Sequence, residues 1–231
     1  MKKDTKKVVL LIVEGPSDEL SLSPFFKQLF DKENVLFKVV HGDITTMYGV
    51  DSGTIIKHIN TRITNYMSKY GYKNSDILRI IHIVDTDGAF IPADSIVLDE
   101  SISLDYSEDC IRTSAPVYIK ARNESKSKIL FKLFNTYSIN TMKYNVYFNS
   151  CNLEHVLVGE LCNFSDAEKE RIADDFSDKY CEDIEGFRIF LKSVLPKEQY
   201  IASWKFIKEG KNSLKRYSNM SLILGDEERG R

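Results

Sequence analysis

Two apolar runs that stop abruptly at acidic turns restrict this chain more than any other feature. Residues 8–13 read Val-Val-Leu-Leu-Ile-Val and meet Glu14-Gly15-Pro16-Ser17-Asp18. Residues 77–84 read Ile-Leu-Arg-Ile-Ile-His-Ile-Val and meet Asp85-Thr86-Asp87-Gly88. Neither run alternates apolar with polar residues, so neither is a strand with one wet face. Continuous β-branched runs of this length are what a parallel sheet needs when helices cover both of its faces.

The segments between support that reading. Further strands are expected over 35–40 and 144–148. Helical spacing is clearest over 53–70, where Ile55, Ile56, Ile59, Ile63 and Met67 recur on one face. A helix through 25–30 is expected to follow the first acidic turn, with Ser23-Pro24 as N-cap and first helical residue, giving a late or kinked start. Helices are also expected over 124–137 and from Asn152 to Leu157. Residues 91–119 contain Pro92 and Pro116 and no long helical pattern, so they read as an insertion with some hairpin. From Ser165 the chain is mainly helical, and Ser165-Asp166-Ala167-Glu168 fits a capping box. Strands alternating with helices imply right-handed crossovers. The expected fold is α/β, a mostly parallel sheet flanked by helices over residues 1–160, with a helical C-terminal extension over 161–231.

In an open parallel sheet, ligands bind beyond the carboxyl ends of the strands, and both acidic clusters fall there. Asp85 and Asp87, two apart on extended chain, point the same way, and Asp18 can face back across the first turn. Converging carboxylates repel one another unless a hard divalent cation such as Mg²⁺ or Mn²⁺ sits among them. Two such cations can stabilise the attacking and leaving oxygens of a phosphodiester together. Glu154, just after the fourth expected strand, is a further candidate ligand. It equally suits an exposed first-turn glutamate favoured by the helix dipole.

These residues resemble a family. Val8–Asp18 is similar to the glutamate motif of TOPRIM domains, and the segment ending Asp85-Thr86-Asp87-Gly88 to their Asp-x-Asp motif. Glu-Gly-x-Ser-Asp with a following proline, here Pro24, most resembles the OLD-type (overcoming lysogenization defect) nucleases. That resemblance implies a Mg²⁺- or Mn²⁺-dependent nuclease with Glu14, Asp18, Asp85 and Asp87 as ligands. By analogy with topoisomerase-type relatives, Glu14 is alternatively a general acid or base. It also implies a role in anti-phage defence and a separate ABC-type ATPase partner, since no GxxxxGK[ST] motif occurs in the sequence. A catalytic lysine near the C-terminus is expected, with Lys208 and Lys211 as candidates. The sequence departs from the Asp-x-Asp-x-Asp form at Ala89.

A formal charge of −2 does not mark the chain as a nucleic-acid binder, so phosphate contacts must come from local patches. Lys120, Arg122, Lys126 and Lys128 form one. Lys205, Lys208, Lys211, Lys215 and Arg216 form another, interleaved with Trp204, Phe206 and Tyr217. Either patch also suits a solvated helix face. Residues 166–185 hold nine acidic against three basic side chains and should repel nucleic acid. Cys110, Cys151, Cys162 and Cys181 form no CxxC pair and read as reduced thiols. The basic-then-apolar start imitates a leader peptide, but the run is short and meets Glu14. No apolar stretch nears the ~20 residues of a membrane helix, and a cytoplasmic location is expected.

Three rivals stand beside the nuclease. Asp85-Thr86-Asp87-Gly88 also resembles a HAD-phosphatase nucleophile motif, although that normally lies on the first strand. It resembles the Asp-x-Asp of GT-A glycosyltransferases as well, which leaves Glu14-Gly15 unexplained. The third rival is a catalytically silent binding module. The oligomeric state is open on sequence grounds.

Overall fold

A computed structural model describes residues 7–31, 36–41, 44–45, 47–223 and 225. In chain order the elements are β1 (Val8–Val13), α1 (Pro16–Asp31), β2 (Leu36–His41), α2 (Ile55–Tyr70), β3 (Ile77–Asp85), β4 (Ile96–Leu98), β5 (Asp105–Tyr106), β6 (Ile111–Thr113), α3 (Pro116–Phe134), β7 (Ser138–Ile139), β8 (Met142–Asn149), α4 (Leu153–Val158), α5 (Asp166–Tyr180), α6 (Ile184–Ser193) and α7 (Tyr200–Ile207). The main sheet has the order β2-β1-β3-β8-β7. Its first four strands are parallel, and β7 adds an antiparallel edge. The fold is therefore α/β, a mostly parallel sheet flanked by helices.

Every residue of β1 is buried, as its uninterrupted apolar run requires. Removing such side chains from water contributes about 1.5–3 kcal/mol each. Helix α2 buries Ile55, Ile59, Ile63 and Met67, its i, i+4 stripe, and ends where Gly71 turns left-handed at φ 74°. Helix α5 carries the expected capping box, with Ser165 and Glu168 each satisfying the other's backbone N–H. Phe25 of α1 stacks on Phe187 of α6 at 4.4 Å and meets Phe176 of α5 edge-on at 5.9 Å. Trp204 of α7 is fully buried between Phe148 of β8 and Phe134 of α3, at 5.0 and 5.5 Å. The C-terminal helices thus share the core of the sheet. No described helix is long and apolar enough to cross a membrane.

Three local expectations are corrected. Ser23 and Pro24 do not begin a helix: α1 starts at Pro16, which takes the first helical position, and runs on through Pro24. Helix α3 begins at Pro116, eight residues before the expected 124, because this proline also opens a helix rather than breaking one. The edge strand β7 went unforeseen, being only two residues long. Residue 35, placed at the start of the second strand, lies outside the described residues.

The region 91–119 does contain a hairpin. Strands β5 and β6 pair antiparallel, and β4 joins β6 in parallel. This small sheet has its own core of Ile91, Ile96, Tyr106, Ile111 and Leu214, into which Cys151 also packs.

Two features position the site. The chain steps from β1 outward to β2, then returns past β1 to β3, so strand order reverses between β1 and β3. That reversal opens a crevice at the carboxyl ends of β1 and β3, the usual ligand position in such sheets. The second feature is a late segment that docks on the end of β8. Ser150 N–H donates to Tyr217 O at 2.8 Å, Cys151 N–H to Ser213 O at 3.0 Å, and Phe148 N–H to Asn219 Oδ1 at 2.8 Å.

Candidate metal centre

The crevice collects carboxylates. Glu14 leaves the end of β1, and its Oε1 accepts from the Asp85 backbone N–H at 3.2 Å and from Thr45 Oγ1 at 3.3 Å. Asp18, in the first turn of α1, folds back so that Oδ2 accepts the N–H groups of Glu14 and Gly15 at 3.0 and 3.1 Å. Asp85 closes β3 opposite Asn149 of β8, whose Nδ2 donates to Asp85 Oδ1 at 3.1 Å. Ser218 Oγ lies 3.1 Å from Asn149 Oδ1 and 3.0 Å from Phe148 O, so its one proton is shared between these two acceptors at the end of β8. Glu154 is buried rather than exposed, and Lys169 of α5 approaches its Oε1 at 3.5 Å.

Asp87 sits on a tight turn at φ 47°, followed by Gly88 at φ 66°. An aspartate tolerates this left-handed conformation. Glycine is required next, since a Cβ on Gly88 would also lie 2.7 Å from Leu214 Cδ2. Helix α3 clamps the turn. Arg122 donates to Asp87 O at 2.9 Å and to Tyr106 Oη at 2.8 Å, and Asn123 Nδ2 donates to Gly88 O at 3.1 Å. Lys126, one helical turn further, forms an ion pair with Asp87 Oδ2. Thr86 ties the turn inward, accepting from Cys151 N–H at 2.8 Å and donating to Ser213 O at 3.3 Å.

The electrostatics follow from burial and crowding. Burial, reinforced by the charges of Glu14, Asp18, Asp87 and Glu154, holds the Asp85 carboxyl well above the usual carboxylate range. Burial raises Asp18 to about 6, and Glu154 adds to the shift, while the N–H groups of Gly15 and Glu14 oppose it. Burial works against a charged Lys126, but the carboxylates of Asp87, Glu14 and Asp85 outweigh it and keep the ammonium above its ordinary range. Lys169 is likewise raised despite burial, chiefly by Glu154 and Asp85.

These shifts predict a pH dependence for the metal-free protein. Asp18 binds its proton more tightly folded (about 6) than at its ordinary 3.8. Its stabilising effect is complete below the lower value and declines as pH rises through the window between them. The loss is about 3 kcal/mol at most. In EDTA the melting temperature should fall across this window, and Asp18→Asn, which keeps the acceptor oxygen, should flatten the decline. An unchanged slope in the variant would remove Asp18 as its source.

The structure thus brings together Glu14, Asp18, Asp85, Asp87 and Glu154. Among the described residues, however, no three acidic, histidine or cysteine side chains converge closely enough to enclose an ion. Asp87 and Glu154 each face an ammonium, and one oxygen of Asp18 is committed to backbone. The donor chemistry, hard carboxylate oxygens around a buried Asp85, fits Mg²⁺ or Mn²⁺. The carboxylates must draw in from these positions to ligate one.

The basic residues divide differently from expectation. Lys126 and Arg122 are not free surface cations: Lys126 is 2% exposed, and both serve the Asp87 turn, since residues 122, 123 and 126 share one face of α3. Lys120 is exposed on α3, and Lys128 pairs with Glu124 at 2.7 Å. Lys208 is ringed by aromatic side chains, its Nζ 4.7 Å from the centroid of Phe134 and 5.0 Å from that of Phe131. Burial lowers its pKa. Lys211 lies 3.8 Å from Asp109, and Arg216 donates to the carbonyls of Val156 and Leu157. Lys205 is exposed and Lys215 half-buried. The lysines at the carboxylates are Lys126 and Lys169. Lys169 lies within the acidic stretch 166–185, where composition masked it, and Asn149 was missed because it ends a strand with no acidic motif. No protein-family model matches this chain, and no curated protein and no solved structure proves similar to it.

Proposed function

We propose that this protein is a Mg²⁺- or Mn²⁺-dependent nuclease of TOPRIM type, hydrolysing phosphodiester bonds of DNA or RNA. The observation that carries the proposal is Asp85, a buried carboxylate at the crevice where strand order reverses, with the charges of Glu14, Asp18, Asp87 and Glu154 around it. Like charges gathered around three buried carboxylates, Asp18, Asp85 and Glu154, are costly unless a cation is among their intended partners. The OLD-type motif form adds the expectation of anti-phage defence alongside a separate ABC-type ATPase.

In this reading Asp85 and Glu14 hold the cation, with Asp18 and Glu154 at its rim. A bound cation would supply polarisation of the phosphate and stabilisation of the charge that develops on it. Water adds to phosphorus and loses a proton to Glu14 or to solvent, the bond to the leaving oxygen breaks, and that oxygen takes up a proton from solvent. Glu14 accepts the water's proton or serves as ligand, and Lys169, half-exposed at the edge of the cluster, can face the phosphate.

Glu14→Gln separates charge from shape. It should lower metal-dependent cleavage by about two orders of magnitude or more, the usual scale for a positioned acid–base group. Purified protein should be assayed on single- and double-stranded DNA and on RNA, in Mg²⁺ and Mn²⁺, with and without a candidate ATPase. Cleavage that persists in EDTA would overturn the proposal.

A second reading has its own observation. The Lys126–Asp87 and Lys169–Glu154 pairs neutralise two carboxylates internally, as suits a silent binding module. That reading expects no divalent-cation binding at all. The GT-A alternative leaves the contact between Glu14 and Asp85 without a purpose.

A further inference from the structure

The geometry points to a centre that takes one divalent cation, with the ammonium of Lys126 standing as a built-in second cation on Asp87. This inference rests on the metal-dependent reading above and narrows it.

The argument starts from burial. Lys126 is 2% exposed, yet lysine is among the side chains least often buried. Its buried four-carbon stem reaches from α3 to deliver the charge to Asp87 Oδ2, with the charges of Glu14 and Asp85 also acting on it. An ammonium is desolvated this fully only where fixed negative charge compensates it. The remainder of the Asp87 turn is held just as firmly, by Arg122 on its carbonyl, Asn123 on the Gly88 carbonyl and Cys151 O accepting the Asp87 N–H at 2.8 Å. Asp87 is therefore a carboxylate with a resident partner on a braced turn.

Charge counting agrees. The five carboxylates, Asp85 and the four around it, have two lysines among them, Lys126 and Lys169. One divalent ion then removes most of the remaining excess. A second divalent ion would have to share Asp87 with an ammonium already in contact with it, and like charges at such range repel strongly in a buried site. A centre of this kind has one metal and one organic cation, whereas paired-metal sites place two ions about 4 Å apart.

The test is Mn²⁺ stoichiometry on the intact chain, by calorimetry and by the electron paramagnetic resonance of bound Mn²⁺. Wild type should bind one ion and show no spin–spin coupling. The double variant K126M/D87N removes the pair while keeping its volume, so no buried charge is left alone. It should still bind one ion, with affinity within about threefold of wild type. K126M alone frees Asp87 and should add a second, coupled ion. Circular dichroism of each variant verifies the fold, and the double variant keeps the test open should K126M unfold. Two coupled ions in wild type would overturn the inference while leaving the metal-dependent reading intact. Loss of binding in K126M/D87N would overturn it by making Asp87 a ligand. No ion in wild type would overturn both.

Discussion

Asp85→Asn should abolish metal-dependent activity while making the metal-free protein more stable. The asparagine keeps the side chain's shape and the acceptor that Asn149 uses. It removes the charge that is most buried and most crowded by Glu14, Asp18, Asp87 and Glu154. Losing a central anionic ligand should weaken Mn²⁺ binding by about a hundredfold or more. Cleavage should fall to background. In EDTA the variant should melt several degrees higher, at about 2–4 °C per kcal/mol for a chain of this size. Added Mn²⁺, which should raise the melting temperature of wild type, should leave the variant unmoved. Calorimetric scans of both proteins with and without Mn²⁺ check all of this together. Equal metal-induced shifts in the two proteins would show that Asp85 does not hold the ion.

Trp204→Ala should be the most damaging single substitution outside the crevice. Trp204 is fully buried against Phe148 and Phe134, so truncation leaves a large cavity where α7 meets the sheet. Losses of about 3–5 kcal/mol accompany such changes, enough to lower the melting temperature by about 10 °C. In wild type, fluorescence from this sole tryptophan and far-ultraviolet circular dichroism should report one coincident transition, because the helices after residue 160 share a core with the sheet. A tryptophan transition at lower denaturant than the dichroism would show the C-terminal helices unfolding separately.

The parallel strands were legible because burial on both faces leaves its mark in consecutive residues. Val8–Val13 and the run ending at Asp85 could hardly be anything else once their acidic turns were noticed. Helix α2 was legible through its isoleucine spacing. The two misplaced helix starts have a common physical root in proline. Pro16, Pro24 and Pro116 each carry the same local constraint, and only the surrounding packing decides whether a helix opens at one or runs through it. Charged residues misled in a different way. Lys126 belongs by composition to a basic surface run, and only the direction of α3 turns it inward. Lys169 sits in an acidic run, and only the packing of α5 against α1 and α4 brings it to Glu154. The acidic motifs could be placed at strand ends from sequence, but the cations that answer them come from helices far along the chain.

The docking of residues 212–219 on the end of β8 also has a consequence for the order of events during synthesis. The hydrogen bonds that join Phe148, Asn149 and Ser150 to Asn219, Ser218 and Asn212 span 62 to 71 residues of chain. Asn149 lacks its Ser218 partner until Ser218 has emerged from the ribosome. Every strand of the sheet is translated well before that point, so a nascent chain can form its sheet while its carboxylate crevice is still without its final brace. On the proposed nuclease reading, a centre completed last remains unfinished while the chain is still beside its own messenger RNA.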